Sequence, residues 1–163
     1  MIKTERLRLR NLREEDIPAI LAWRTDPVCF RFQRWEDTSE EAVKAYVRRF
    51  QNSEFLSTQE EQHFALCSED GIIGDLSYFY TEKDRCVTLG ITISPKHQRK
   101  GYAREILEAV TAAVQKQYPA LDIVALIDRE NAPSIALFES LGFFRECYAE
   151  KIASYVYVIY AKE

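Results

Sequence analysis

Apolar and polar residues alternate from Cys86 to Ser94. Val87, Leu89, Ile91 and Ile93 share one face; Cys86, Thr88, Gly90, Thr92 and Ser94 share the other. A period of two predicts a half-buried strand, and Ser94-Pro95 ends it. The period then changes. Ala103, Ile106, Leu107, Val110 and Val114 form a 3.6-residue stripe, which predicts an amphipathic helix closed by Pro119. Upstream, Arg6 to Leu12 alternates charge with leucine and reads as a strand. Glu14-Glu15-Asp16 opens a helix with Ile17, Ile20 and Leu21 on one face, and Asp26-Pro27 stops it. Thr38 to Glu41 reads as a capping box before a stripe of Val43, Tyr46, Val47 and Phe50. His63 to Cys67 and Ile72 to Tyr80 flank Asp70-Gly71 as a hairpin.

Downstream, Leu121 to Ile127 is a short apolar run, read as a buried strand. Asn131 caps a helix that tolerates Pro133 in its first turn, buries Leu137, Phe138 and Leu141, and ends at Gly142. Strands at Phe143 to Tyr148 and Ser154 to Tyr160 follow. The order β-α-α-β-β-β-α-β-α-β-β combines hairpins with two crossover helices. It predicts an α+β (mixed α/β) fold, a mixed sheet covered by helices, in one domain over residues 1–163.

Composition narrows the functions. A formal net charge of -4 disfavours a general nucleic-acid binder. No apolar run approaches a membrane span and the N-terminus lacks a signal-peptide core, so the expected compartment is the cytoplasm. Cys29, Cys67, Cys86 and Cys147 form no CxxC pair; with only two histidines, reduced thiols are expected and a metal site is not.

Against this acidic background, Lys96 to Arg104 is basic. On charge alone it is a solvated surface loop. Its position between strand and helix gives it another reading. The first helical turn has unpaired N–H groups and the positive end of the macrodipole, and a glycine lets a phosphate approach the backbone. Gln98-x-x-Gly101-x-Ala103 is neither a Walker loop nor a dinucleotide fingerprint.

This spacing resembles the acetyl-coenzyme A signature [QR]-x-x-G-x-[GA] of the GNAT N-acetyltransferases. Asn131-x-x-Ser134-x-x-Leu137-Phe138-x-x-x-Gly142-Phe143 is similar to their second signature. Thr4 to Arg10, with Asp16 and Trp23, resembles the branch that acetylates N-terminal residues of ribosomal proteins.

The resemblance implies a mostly antiparallel sheet splayed at a cofactor cleft, and acetyl-coenzyme A as the acetyl donor, with no metal. Ile91, Thr92 and Ile93 would pair with pantetheine through their main chains, with a bulge at Gly90. Gln98, Arg99, Lys100, Gly101, Tyr102 and Ala103 would cradle the pyrophosphate, and Arg104 joins Arg99 and Lys100 as a candidate for the phosphates. Asn131 would cap its helix and contact the pantetheine arm. Phe138 stands where many members carry a tyrosine acid, and Thr88 where many carry a glutamate. Ser134 thus becomes the leading candidate to protonate the thiolate, ahead of Tyr148. Asp75 and Glu82 are possible bases, each read as an ordinary surface carboxylate. Phe30, Phe32, Trp35, Tyr78, Tyr80, Tyr155 and Tyr157 are the aromatics available to an acceptor pocket. The implied partner is an amine-bearing small molecule or a protein N-terminus, acted on by a monomer or homodimer, with no nucleic acid or membrane involved. A non-catalytic acyl-coenzyme A binder of the same fold and a scaffold using the basic loop for docking are the competing readings.

Overall fold

The fold comes from a computed structural model that describes residues 1–33 and 35–162. The strands are β1 (Arg8–Asn11), β2 (Glu61–Ser68), β3 (Gly71–Thr81), β4 (Cys86–Ile93), β5 (Asp122–Asp128), β6 (Phe144–Ala149) and β7 (Ser154–Ile159). The helices are α1 (Ile17–Arg24), α2 (Pro27–Phe30), α3 (Glu40–Phe50), α4 (Tyr102–Gln117) and α5 (Ala132–Ser140). One sheet runs β1-β2-β3-β4-β5-β7-β6, and β4 with β5 is its parallel pair.

Each face of the sheet buries its own cluster. Leu9, Phe64, Leu76, Val87, Leu89, Ile106, Val110, Phe138 and Tyr157 belong to the core beneath α4 and α5. Leu12, Ile20, Trp23, Cys29, Val43, Val47 and Phe50 belong to the core beneath α1, α2 and α3. Period-two alternation allows one strand to serve both.

Two local expectations change. Asp26-Pro27 ends α1 but also starts α2, because the Asp26 carboxylate accepts the Val28 N–H at 2.8 Å and proline suits the first helical position. The cap of α3 is Ser39, not Thr38; its hydroxyl accepts the Ala42 N–H at 3.2 Å. Gly142 does end α5, with φ +92 and the Phe143 N–H returning to the Phe138 carbonyl at 3.1 Å. Near the N-terminus, Asp16 is 2% exposed and takes both Arg10 guanidinium nitrogens, at 2.8 and 2.7 Å. That bidentate pair fixes β1 to the entry of α1.

The feature that positions the site lies between β4 and β5. Their parallel pairing covers only Cys86, Val87 and Thr88 opposite Asp122, Ile123 and Val124. From Leu89 onward β4 keeps β3 alone, while β5 turns to β7. The register with β3 continues unbroken through Gly90, so the expected bulge is absent there. Gly90 is small for another reason: a Cβ on it would run into the Ser77 hydroxyl.

Candidate active site

The phase of the β3–β4 ladder decides which backbone groups open into the split. The Ser94 N–H bonds the Ile73 carbonyl at 2.7 Å. In an antiparallel ladder, alternate residues pair with the same neighbour. Thr92 and Gly90 therefore bond β3, while Leu89, Ile91 and Ile93 turn their main chains to the other edge. Gly74 agrees with this phase: any Cβ there would run into the Thr92 carbonyl, so only glycine allows the approach. Thr92 thus departs from the expected cofactor contact. Its main chain is committed to β3, and its side chain lies beside Asp75 on the α1–α3 face.

The resulting cleft is lined by Leu89, Gly90 and Ile91 from β4, by β5, and by Asn131, Ser134 and Phe138 from α5. Asn131 Oδ1 accepts the Ser134 N–H at 3.3 Å, which caps α5 and orients its first turn toward β4. Phe138 is 4% exposed and packs edge-on against Phe143 at 5.1 Å, so it is both wall and core. Phe32 and Gln33 close the cleft from the chain after α2. Gln33 carried no sequence signal, because loop positions have no periodicity. Of the other aromatics expected for the pocket, Tyr78 and Tyr157 are fully buried in the core, and Tyr155 meets Tyr148, the second acid candidate, edge-on outside the cleft lining.

At the far end of β4 the loop turns through two left-handed residues, Arg99 (φ 64) and Gly101 (φ 79), and Gly101 is the N-cap of α4. The first hydrogen bond of α4 is Glu105 N–H to the Gly101 carbonyl. The N–H groups of residues 99 to 104 therefore have no acceptor among the described residues. Successive bare N–H groups at a helix start form an anion cradle. Gln98 serves it indirectly. Its carboxamide donates to the Ile93 carbonyl at 2.9 Å and ties the loop back to the strand. Cys29 donates its thiol to the same carbonyl at 3.5 Å, and burial pushes that thiol up to about 11, so it stays protonated. Arg99 and Lys100 are exposed and form no ion pair among the described residues. Arg104 is occupied instead, donating to Ser140 at 2.7 Å and Glu108 at 3.0 Å.

The chain's first residues hold this cradle. Thr4 Oγ1 and the Arg6 N–H donate to Glu105 Oε1 at 2.7 and 2.9 Å, and Arg6 Nε to Oε2 at 2.7 Å. Arg6 also reaches the Lys100 carbonyl at 3.0 Å and covers the Tyr102 ring at 4.5 Å. Burial pushes the Glu105 carboxyl up, but the Thr4 and Arg6 hydrogen bonds and the Arg6 charge hold it below its ordinary value. Glu105 escaped sequence reasoning because its partners lie about a hundred residues away.

The two expected bases separate. Glu82 lies in the turn before β4, at the end opposite Ile91–Ile93. Asp75 is not a surface carboxylate. It is 8% exposed, under α3, and accepts the Tyr46 hydroxyl at 3.2 Å. Burial raises its pKa, partly offset by Arg24, His63, Tyr46 and Thr92. Among the described residues no acidic, histidine or cysteine cluster is placed to hold a metal, and no helix is long and apolar enough to cross a membrane.

A strand edge with free amides, running to a bare N–H cradle, fits an extended amide-bearing arm with a phosphate end. A coenzyme A thioester has that form. The Acetyltransferase (GNAT) domain family model matches residues 6–144. The chain is 26% identical over 150 residues to the uncharacterized N-acetyltransferase YnaD of Bacillus subtilis, covering 92% of this chain and 86% of that protein. It is 27% identical over 101 residues to the ribosomal protein bS18 alanine N-acetyltransferase of Escherichia coli, covering 61% of this chain and 68% of that one. Its fold matches a GNAT-family acetyltransferase structure from Bacillus anthracis with a TM-score of 0.82, at 22% identity and 99% coverage of both chains. The chain belongs to the GNAT acetyltransferase family, whose members take their acetyl group from acetyl-coenzyme A.

Proposed function

We propose that this protein transfers the acetyl group of acetyl-coenzyme A to a primary amine, in the first instance the α-amine of a protein or peptide, by direct attack on the thioester. The observation that carries the reading is the split of β4 from β5. It leaves the Ile91 main chain at a cleft that Asn131 and Ser134 also line, and the bare N–H groups at Gly101 follow β4 in the chain. Ile91 through its main chain, and Ile93 through its N–H alone, bind the pantetheine amides. Residues 99 to 104 hold the pyrophosphate through their N–H groups, with Arg99 and Lys100 on the outer phosphates. Asn131 orients the arm.

Attack converts the thioester carbonyl into an oxyanion, which a strand N–H facing the cleft stabilises. The carbon–sulfur bond then breaks, and Ser134 or its water protonates the thiolate, since Phe138 has no proton to give. The similarity to the bS18 alanine N-acetyltransferase supports an α-amine acceptor. The net charge of -4 also suits a cationic amine such as a polyamine.

The test is thiol release from acetyl-coenzyme A with alanine- and serine-initiated peptides and spermidine as acceptors, beside calorimetric binding of coenzyme A. Acceptor-dependent thiol release is expected. Binding without release from any acceptor would overturn transfer and favour a non-catalytic acyl-coenzyme A module. Phe138 and Thr88, in place of the tyrosine and glutamate many members carry, are the residues that favour that second reading.

A further inference from the structure

A line of polar side chains crosses the otherwise apolar layer between the sheet and α3. Asp75 Oδ2 meets the Tyr46 hydroxyl at 3.2 Å. The same hydroxyl meets His63 Nδ1 at 3.2 Å. His63 Nε2 meets Glu61 Oε1 at 3.0 Å. Tyr46 comes from α3, Asp75 from β3, and His63 and Glu61 from β2. Phe50 and Phe79 enclose the imidazole, with ring centroids 4.2 and 5.8 Å away. The inner end approaches the cleft. Asp75 and Ser77 are successive residues on one face of β3, and the Ser77 hydroxyl lies against the cleft-lining Gly90. The outer end opens to solvent, where Glu61 helps line a polar hollow of about 310 Å³ with Arg49, Asn52, Gln59 and Glu60.

Counting hydrogens shows what this line does. With both carboxylates ionised and the imidazole neutral, the three contacts share two hydrogens, the tyrosine O–H and one imidazole N–H. Whichever tautomer His63 adopts, one contact is left with two lone pairs facing each other in a desolvated layer. One further proton completes the chain. It can rest on Asp75, giving Asp75 to Tyr46 to His63 to Glu61, or on His63, with Tyr46 turned toward Asp75. The two arrangements differ only by shifts along existing hydrogen bonds.

We propose that Asp75, Tyr46, His63 and Glu61 form a proton relay that accepts the acceptor ammonium's proton from the cleft and delivers it to the surface. The proposal rests on the acetyl-transfer reading above. The ammonium over Gly90 gives one proton to Asp75 by way of the Ser77 hydroxyl and intervening water. The neutral nitrogen then forms the carbon–nitrogen bond as the carbon–sulfur bond breaks. The second nitrogen proton goes to the departing thiolate, so one proton leaves per turnover, through His63 and Glu61.

The charges facing the relay set its poise. From α1, the Arg24 guanidinium lies 4.0 Å over the Tyr46 ring and favours ionised Asp75. From α2, the Cys29 thiol is protonated and uncharged. From β4, Thr92 adds a hydroxyl beside Asp75. At the outer end, Arg49 pairs with Glu61 at 3.3 Å. Burial opposes a charged imidazole and an ionised Asp75 alike, which favours the arrangement with the proton on Asp75; the Arg24 charge at Asp75 and the Glu61 carboxylate at His63 pull the other way and keep the second arrangement in reach.

The test uses Tyr46→Phe in the whole chain. Without any acceptor, ¹⁵N NMR of His63 and the infrared carboxyl stretch removed by Asp75→Asn should report one shared protonation event in the wild type. In Tyr46→Phe that event should split into two separate titrations. Independent titrations in the wild type, unaltered by Tyr46→Phe, would overturn the relay. With spermidine or an alanine-initiated peptide as acceptor, Tyr46→Phe should lower kcat/KM by about a hundredfold at neutral pH, a typical loss of general-base assistance. The loss should shrink as pH rises and the free amine supplies itself unprotonated, with coenzyme A affinity unchanged. A uniform loss at every pH would mark a structural role and refute the proposal. If neither acceptor reacts, the spectroscopic arm decides by itself; failed coenzyme A binding in the wild type would count against the acetyl-transfer reading alone.

Discussion

Replacing Gly101 by glutamate probes the cradle where it is most exposed to charge. Gly101 adopts φ +79, and a Cβ there would meet only Arg6 Nη2, at 3.4 Å. Space is therefore available, and the backbone carries the cost. A residue with a Cβ in the left-handed region loses about 1–2 kcal/mol. Alanine at Gly101 should lower stability by that amount and leave the N–H groups of residues 99 to 104 in reach of an anion. Glutamate adds a carboxylate beside them. At roughly 5 Å from a phosphate and an effective dielectric of about 20, repulsion is about 3 kcal/mol, or roughly a hundredfold in affinity. Calorimetry with coenzyme A, run beside thermal melts of both variants, separates the two effects. The expected result is similar destabilisation in both variants and lost affinity mainly in Gly101→Glu. Equal coenzyme A affinity in Gly101→Glu and wild type would refute the placement of the pyrophosphate at this loop.

Asn131→Ala removes the α5 cap and should cost about 1 kcal/mol of stability together with coenzyme A affinity; a melt and a titration showing neither loss would count against its double role. Asp16→Ala strands the Arg10 guanidinium in the interior and should cost about 3–5 kcal/mol in a denaturant melt, whereas removing both charges with Arg10→Met and Asp16→Leu should recover most of it. Glu105→Gln tests the N-terminal clamp by its pH dependence. The Glu105 pKa is depressed in the folded state, so its contribution is present above the unfolded carboxylate value and lost as pH falls through the folded one. Melting temperatures of wild type and Glu105→Gln should differ at pH 7 and converge in acid; a constant gap would show that Glu105 acts through packing alone.

Much of the fold was legible because it rests on local periodicity. The stripes of α3 and α4, the alternation of β4 and the stop at Gly142 all follow from which positions must be buried. The cradle was legible for a related reason: Gly101 and the helix after it are neighbours in sequence, so their geometry is set within a few residues. Boundaries slipped where two nearby residues could each serve, as with Thr38 and Ser39, or where one signal both ends and begins a helix, as at Asp26-Pro27.

What the sequence by itself determined is therefore most of the elements, the strand-loop-helix junction at Gly101 and the resemblance to the family. The tertiary structure alone decided how strands meet across distance. Strand alternation says which side chains share a face, but the phase of the hydrogen-bond ladder depends on the partner strand. That phase turned Ile91 toward the cleft and committed Thr92 to β3. Burial of a charged residue is likewise a property of what packs over it. Asp75 looked like any surface carboxylate until α3 placed Tyr46 above it and β2 placed His63 beyond. The Thr4–Arg6–Glu105 clamp is the same case, since no local signal couples the first strand's approach to a helix start so far along the chain. Side-chain chemistry is encoded residue by residue, whereas desolvation and hydrogen-bond partnership arise only when distant segments pack.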